Sequence, residues 1–337
     1  MIRLDWQTLR EAVSVSDLIP IACSYTNTIT GLPMLAVTFR VPRDATGFNV
    51  FQPDAMLTNP LNGSYDVAIR WNDLALVSLG GMRIWGISSS LDMGVRTLQL
   101  ELCSPLQFLT LVDGRGINLL PSSAPAIVDT LFAQVESKTG RSGLFAEADT
   151  STLPSRIIQP PPRDQLASSI LHDVCLQSSV YLFAPENARG ALWRPISELV
   201  DRNPSDEFPF QLSNVRVQKR ANAPRRLEIQ GGVSRVKHRL IDQWADVSPN
   251  ALATAARTIN AATVAGSDGA AEGLAFNAWL QANAIASSIR VIVPRCADWS
   301  ESPVAVGDSF RIGGCNALLY GLSLSEQRAE FSLIQLS

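Results

Sequence analysis

The chain has 337 residues, of which 46% are hydrophobic and 18% are charged, and its formal net charge is -3 at pH 7. This length is enough for two or three domains with a sizeable core, and the slightly negative charge argues against a protein that coats nucleic acid. Because charged residues are scarce, we expect other subunits to cover part of the surface.

The sequence indicates neither targeting signals nor disulfide bonds. It has no apolar run of about eighteen residues, and residues 1–10 are amphipathic, so we predict no membrane span and no signal peptide. An odd number of scattered cysteines fits small buried side chains in a reducing compartment, and we expect synthesis in a cytoplasm. The five cysteines are Cys23, Cys103, Cys175, Cys296 and Cys315.

Alternating apolar and polar residues mark the first third of the chain as β-rich. Strands are predicted at residues 35–41, 66–71 and 97–102. The pair Gly80-Gly81 predicts a hairpin turn before another strand at residues 82–87. We interpret residues 1–108 as one domain, an antiparallel sheet closed on itself.

The pattern changes to mixed helix and strand in the middle of the chain. Apolar residues at helical spacing predict a helix over residues 123–138, ended by Gly140, and a second helix from its cap Asp164 to about Gln177. Strand, turn and strand follow up to about residue 193. Residues 109–205 are therefore predicted to form a small α/β domain.

The last part, residues 206–337, again has short alternating segments. Strands are predicted at residues 215–219, 225–232, 289–293, 309–312 and 331–334. An Ala-rich stretch near residues 249–288 interrupts them and is predicted to contain a helix. We interpret the whole part as a second β domain with a helical insert.

None of the motifs for common catalytic or metal chemistry is complete. The two histidines, His172 and His238, lack a second ligand at metal-binding spacing, and the cysteines contain no Cys-x-x-Cys pair. Residues 86–90 lack the second glycine of a serine-hydrolase elbow, and residues 114–119 lack the last glycine of a dinucleotide loop. We predict no catalytic residue, no metal and no cofactor, although two of the 31 acidic residues could still meet as a glycosidase pair.

One segment, residues 216–239, is strongly basic, with Glu228 as its one acid. No aromatic residue interleaves the basic ones as a nucleic-acid stacking platform would need. We therefore favour a partner surface or the lining of a lumen over specific nucleic-acid binding. The candidate site residues are Arg216, Lys219, Arg220, Arg225, Arg226, Arg235, Lys237 and Arg239.

The order of these segments resembles that of the baseplate hub family of bacteriophage tails, which is related to the base of the type VI secretion spike. The matching parts are the helix at 123–138, the helix-strand-turn-strand unit at 164–193, the charged β segment at 215–232, and the C-terminal segments at 306–312 and 318–322. The Ala-rich insert has no counterpart that we can align.

The resemblance implies an α+β, mostly β fold: two tail-tube-like antiparallel β-barrel domains with a small α/β domain between them and a helical insert. It also implies a non-enzymatic homotrimer in the virion, at the tail tip or baseplate, made in the cytoplasm of the host bacterium. Its ring would join the tail tube or distal-tail ring above to tip, spike or fibre proteins below. Viral DNA would pass through the ring during ejection.

Two alternatives remain open at this point. One is another ring of the tail, a distal-tail or terminator protein, for which six copies per ring are expected. The other is a carbohydrate-binding or carbohydrate-cleaving tail protein, which the seven tryptophans would suit because aromatic faces stack on sugars. Against the second alternative, Trp71, Trp85 and Trp193 fall in predicted strands, where aromatic residues usually serve core packing.

Overall fold

Strands predominate over helices in the computed structural model, which confirms the predicted α+β, mostly β class. Among the described residues, no helix is long and apolar enough to cross a membrane. The structure describes residues 2–15, 17–59, 62–71, 74–155, 157–158, 164–186, 192–195, 198–201, 203–212, 214–219, 226–231, 237–238, 256–261, 276, 280, 287–294 and 304–336.

The first third of the chain forms six strands, one short α-helix and one 3₁₀ helix in its described residues. In chain order these are β1 Ile2–Asp5, α1 Gln7–Ala12, β2 Ile19–Thr28, β3 Met34–Val41, the 3₁₀ helix Pro53–Met56, β4 Tyr65–Trp71, β5 Leu74–Asp92 and β6 Val95–Cys103. The strands predicted at 35–41, 66–71 and 97–102 are confirmed as β3, β4 and β6.

The hairpin turn predicted at Gly80-Gly81 is wrong, because β5 runs through both glycines. The first half of β5 pairs with β4 and the second half pairs with β6. Gly81 has a φ of +68°, and a Cβ atom there would lie 2.6 Å from an Oε atom of Glu147. Glycine at position 81 therefore allows the long strand to bend and allows the Glu147 side chain to approach the backbone closely.

The middle of the chain contains the two longest helices whose bounds lie within the described residues. Its elements are the 3₁₀ helix Pro105–Leu111, β7 Ser122–Ser123, α2 Ala124–Thr139, the 3₁₀ helix Thr150–Thr152, β8 Ile157–Ile158, α3 Ala167–Gln177, β9 Val180–Phe183 and β10 Leu192–Pro195. The helix predicted at 123–138 is confirmed as α2, and Gly140 ends it in the left-handed conformation. The predicted strand-turn-strand is the antiparallel pair of β9 and β10.

Helix α3 begins at Ala167, so the predicted cap at Asp164 is wrong. The backbone before the helix is held extended by two interactions. Leu166 forms an isolated antiparallel β-bridge with Asp113, and the N–H of Ala167 donates to the carbonyl of Val112 at 2.9 Å. Leu166 takes the N-cap position without a side-chain hydrogen bond. A tertiary contact thus overrides the local capping signal.

The last part contributes strands to two separate sheets. Its elements are β11 Val215–Lys219, β12 Arg226–Gly231, β13 Lys237–His238, β14 Ala256–Ala261, β15 Ser287–Pro294, β16 Ser309–Ile312, β17 Cys315–Ser325 and β18 Arg328–Gln335. Strand β12 pairs with β13 and, in parallel, with β14, apart from the large sheet. The strands predicted in this part are therefore divided between two sheets, and their grouping into one β domain stays a prediction. Within the Ala-rich stretch, β14 is a strand, Phe276 and Leu280 are helical, and the remainder of the stretch up to β15 lies outside the described residues.

One large sheet unites the first and last parts of the chain. Its strand order is β1-β4-β5-β6-β3-β2-β17-β18-β15-β11, with β16 paired to β17, and β2 and β17 make the antiparallel connection. Over the described strands this path is open at β1 and β11 and does not close into a barrel. The domain boundaries near residues 108 and 205 stay predictions.

Two hydrophobic cores support this arrangement. The larger one lies against the sheet and collects side chains from both its first and its last strands, such as Phe39, Leu100, Leu322 and Phe331. The smaller one belongs to the α/β part and is built around α2 and α3. The first and last parts of the chain therefore share one core as well as one sheet.

A buried carboxylate links three distant segments of the chain. Glu186, which follows β9, accepts hydrogen bonds from the Tyr25 hydroxyl at 2.5 Å, the Asn27 amide at 3.0 Å and the Val306 N–H at 2.7 Å. Asn27 also donates to the carbonyl of Ala184 at 2.9 Å. Burial raises the pKa of Glu186 above its usual range, although the hydrogen bonds act in the opposite direction. The donors therefore stabilise a carboxylate whose burial is otherwise unfavourable.

We expect Tyr25→Phe to destabilise the protein by about 1.5–3 kcal/mol at pH 8, because a buried charged acceptor loses a donor. The raised pKa of Glu186 sets the direction of the pH dependence. Once Glu186 is protonated, the lost bond no longer involves a charge, so the cost of the substitution should become smaller as the pH falls below that pKa. Urea unfolding at pH 8 and pH 4 measures both values.

Tyr320→Phe is the matched control for this prediction. The Tyr320 hydroxyl bonds the Thr30 hydroxyl at 3.0 Å at an exposed position, so its removal should cost less than about 1 kcal/mol. Equal losses in the two variants would contradict the role that we assign to the buried carboxylate.

Candidate functional site

The large sheet has two chemically different faces, as the register of β2 and β17 illustrates. Thr26 opposes Ser323, while the neighbouring residue Tyr25 opposes Leu324. Thr26 and Ser323 are exposed, whereas Tyr25 and Leu324 are buried in the larger core. Because successive side chains of a strand point to opposite faces, the same division continues along the regular stretches of each strand, up to the register shifts at Pro20/Ala22, Ile84/Gly86 and Leu319/Gly321.

The polar face extends over eight strands, from β5 to β11, and crosses the connection between β2 and β17. The registers place mostly serine, threonine, glutamine and a few charged residues on it, and all of them are exposed or half-buried. We call this surface the polar sheet face. It contains Ser88, Ser90, Thr97, Gln99, Glu101, Thr38, Arg40, Ser24, Thr26, Thr28, Ser323, Ser325, Arg328, Glu330, Ser332, Ser288, Arg290, Arg216 and Gln218.

The charges near β11 are arranged unevenly on this face. Glu330 accepts a hydrogen bond from Arg290 at 2.5 Å and lies 3.8 Å from Arg328, and the bond with Glu330 raises the pKa of Arg290. Arg216 lies directly opposite Arg290 in the register of β11 and β15. These two arginines line a groove of about 440 Å³ together with Gln218. Like charges that face each other across strands are locally unfavourable.

The structure separates the predicted basic residues into two sheets. Arg216 and Lys219 belong to β11 in the large sheet, whereas Arg226 and Lys237 belong to β12 and β13 in the three-stranded sheet. Of the first pair, Arg216 is exposed on the polar sheet face. The other predicted residues, Arg220, Arg225, Arg235 and Arg239, lie outside the described residues.

The basic run in the sequence did not include Arg290, Arg328 and Glu330, which the structure brings together with Arg216 on one face. Their strands were predicted from alternation, but the polar positions were not interpreted as a shared surface. The available signal was the run of polar residues at every second position, as in Thr97, Gln99 and Glu101.

Among the described residues, several strands of the large sheet have an edge without a strand partner, and two of these edges belong to β11 and to the second half of β5. Strand β11 pairs only with β15, and the second half of β5 pairs only with β6. The N–H of Ile292 donates to the carbonyl of Asn214 at 3.0 Å, so alternation turns the N–H and carbonyl groups of Val215 and Val217 away from β15. Both valines are partly exposed, which leaves a usable edge for another strand.

The titratable residues of the described part do not form a reactive cluster. In this part, no three His, Cys, Asp or Glu side chains meet as a metal site requires. Burial raises the pKa of the Cys23 and Cys103 thiols to about 12, which keeps them protonated and unreactive at neutral pH. His172 lies on the surface of α3.

We expect Arg216→Glu to stabilise the protein by about 0.2–1 kcal/mol, because it replaces a like-charged pair across strands with an opposite-charged pair. Arg216→Gln, the control that only removes the charge, should give a smaller gain. Chemical denaturation of the purified variants measures both. A clear loss of stability in both variants would mean that Arg216 serves the fold.

Neither a protein-family model nor a curated protein sequence matches this chain. Solved structures do match it along nearly its whole length. The tail protein from Neisseria meningitidis MC58 has a TM-score of 0.57 at 9% identity, over 99% of this chain and 96% of that one. The 43 kDa tail protein of prophage MuSo2 from Shewanella oneidensis has a TM-score of 0.54 at 11% identity, over 99% and 98%.

A third similar structure comes from a secretion system. The E. coli c3393 protein, a component of the type VI secretion system with structural similarity to the T4 bacteriophage tail proteins gp27 and gp5, has a TM-score of 0.54 at 10% identity. The match covers 99% of this chain and 77% of that protein. At these identities the likeness concerns the fold, and the expected resemblance to tail proteins is confirmed at that level: this chain has the fold of phage tail proteins.

Proposed function

We propose that this chain is a non-enzymatic structural subunit of a bacteriophage tail, and that three copies form the hub ring between the tail tube and the tip. The observation that carries the proposal is the polar sheet face, which extends across both halves of the large sheet. The tail-protein fold supports the same assignment.

The sheet contains two four-stranded units in each copy. One consists of β5, β6, β3 and β2, and the other of β17, β18, β15 and β11, joined through β2 and β17. Three copies would therefore present six units around a ring. This arrangement suits a subunit that adapts a six-fold tube to a three-fold tip.

The two edges that lack a strand partner among the described residues would provide the contacts that close such a ring. Strand β11 ends the sheet on one side, and the second half of β5 lacks a described strand partner at the far end of the two units. Neighbouring copies would meet at these edges, by strand pairing or by side-chain packing. Exposed, pairable edges are otherwise a liability for a protein that stays monomeric.

The polar sheet face would line the central passage. Binding of DNA strengthens with each phosphate that a Lys or Arg neutralises, so a wall of many lysines and arginines would hold DNA in place. This face instead carries mainly uncharged hydroxyl and amide groups, and Arg290 and Arg328 both lie close to Glu330. A passage lined in this way would let viral DNA slide through it with little retention.

Under this proposal the protein resides in the virion, at the tail tip, after synthesis in the host bacterial cytoplasm. Its partners are the tube or distal-tail ring above and tip, spike or fibre proteins below. Arg216 and the basic residues around it would contribute to the lumen or to a partner surface. Any cleavage of the host envelope would belong to other subunits.

We expect Val217→Pro to prevent ring formation while the monomer still folds. Proline removes an N–H that points to the open edge of β11, and it is tolerated at such positions. Val217→Thr keeps the N–H and should still assemble. Mass photometry gives the oligomeric state, and circular dichroism checks the fold.

A ring that forms equally well with Val217→Pro would contradict the role of the β11 edge. The number of copies in the wild-type ring separates the hub from its alternatives. Three copies support the hub, six copies favour a distal-tail or terminator ring, and a stable monomer contradicts both. Release of reducing sugar from cell-wall or capsule extract would instead support the carbohydrate-cleaving alternative.

A further inference from the structure

Three arginines share one carboxylate on the polar sheet face near β11. The Oε2 atom of Glu330 accepts a hydrogen bond from Arg290 at 2.5 Å and lies 3.8 Å from the guanidinium of Arg328. Arg216 lies directly opposite Arg290 and is exposed, and within the described part of the chain it has no ion pair or hydrogen bond. These four side chains therefore carry an excess of two positive charges.

The charges on these strands form an alternation that is incomplete. The carboxylate of Glu330 lies close to both Arg290 and Arg328, so it offsets the repulsion between them. Among the described residues, no carboxylate does the same for Arg290 and Arg216. Like charges directly opposite each other across strands are unfavourable. A second carboxylate between these two arginines would complete the alternation.

The groove of about 440 Å³ provides the space for such a carboxylate. Ser288 and Ser332 line it together with the two arginines and Gln218. Ser332 pairs with Arg290 in the register of β15 and β18, and Ser288 pairs with Gln218 in the register of β11 and β15. Because serine side chains are short, the longer arginine side chains rise beside a low floor. An acidic side chain can therefore reach down between the arginines.

Both arginines have donors left for a ligand. A guanidinium carries five N–H donors in a planar fork. Arg290 uses its Nη2 for Glu330, and its buried Nε has no hydrogen-bond partner in the described part of the structure. Arg216 offers its whole guanidinium. Hydrogen bonds from a guanidinium to a carboxylate are stronger than those between neutral groups, so the two forks can hold one carboxylate together.

We propose that this groove binds a glutamate or aspartate side chain from an acidic peptide segment of another protein, with the carboxylate between Arg216 and Arg290. Glu330 already shows that a carboxylate is accommodated beside these arginines. The place of the partner in the tail rests on the proposed function, whereas the acidic chemistry of the ligand follows from the groove itself.

The surroundings of the groove favour an acidic peptide over DNA. Affinity for DNA increases with the number of phosphates that Lys or Arg side chains neutralise. The neighbouring positions of the polar sheet face are mainly Ser, Thr and Gln, and Glu330 repels phosphates that approach this corner. A row of phosphates would therefore find few partners, whereas a single carboxylate needs only the two arginines.

Calorimetric titration of the purified full-length chain with hexaglutamate tests the proposal, at a low salt concentration of about 50 mM so that screening is weak. We expect the wild-type chain to bind hexaglutamate but not hexaglutamine. Arg216→Gln should weaken binding at least about fivefold, because one of the two charged donors is lost. Arg40→Gln is the matched control and should leave binding unchanged. Arg40 is exposed on the same face, but its register partners are Ile19 and Thr97 instead of an arginine.

Arg216→Glu provides a second measurement that does not depend on loss of the fold. This variant supplies a carboxylate of the chain itself opposite Arg290, so it should no longer bind hexaglutamate, although its own unfolding temperature should rise. Hexaglutamate should raise the unfolding temperature of the wild-type chain, because a ligand that binds the folded state stabilises it. Thermal unfolding with and without the peptide measures both effects.

Three results would overturn the inference. These are no binding of hexaglutamate to the wild-type chain, equal weakening by Arg216→Gln and Arg40→Gln, or tighter Arg216-dependent binding of a short DNA duplex than of the peptide. Three-copy rings that do not bind hexaglutamate would leave the proposed function standing and remove this inference. A monomeric wild-type chain that binds the peptide through Arg216 would remove the proposed function and support the acidic ligand.

Discussion

The antiparallel contact between β2 and β17 is the interaction on which the rest of the structure depends, because it merges strands from the first and last thirds of the chain into one sheet. Its register decides which residues face the core. A slip by one residue would turn Tyr25 and Asn27 outward, away from Glu186. The buried carboxylate accepts hydrogen bonds from both residues, so it stabilises this register and disfavours the neighbouring ones. The continuity of the polar sheet face follows from the same register.

The α/β part is attached to this sheet by a second buried charge. Arg83 on β5 donates to the carbonyls of Asn62 at 2.9 Å and Gly143 at 2.5 Å. Burial lowers the pKa of Arg83, and the nearby Glu147 opposes that effect. Arg83 can reach residue 143 only because β5 continues past Gly81 instead of turning there. The bend in β5 therefore serves both the sheet and its connection to α2.

Local patterns in the sequence predicted the elements well but not how they pair. Alternation located β3, β4 and β6, and the spacing of apolar residues together with Gly140 located α2. The pairing of β2 with β17, the separation of β12 from the large sheet and the late start of α3 depend on contacts between distant residues. Leu166 illustrates the limit, since its bridge to Asp113 overrides the capping signal at Asp164. No pattern in the sequence indicated that Glu186 is buried, because an acidic residue after a proline is typical of an exposed turn.

The residues most informative about function are those that conflict with their local surroundings. Arg216 lies directly opposite Arg290 on the neighbouring strand, and Met93 is an exposed apolar residue in a turn that favours asparagine or glycine. The like charges are locally unfavourable although Glu330 pairs with Arg290, and the left-handed conformation strains the backbone of Met93. Such conflicts concentrate at functional positions in natural proteins. Here Arg216 lies on the polar sheet face, and Met93 lies in the turn between β5 and β6 at the end of the strands.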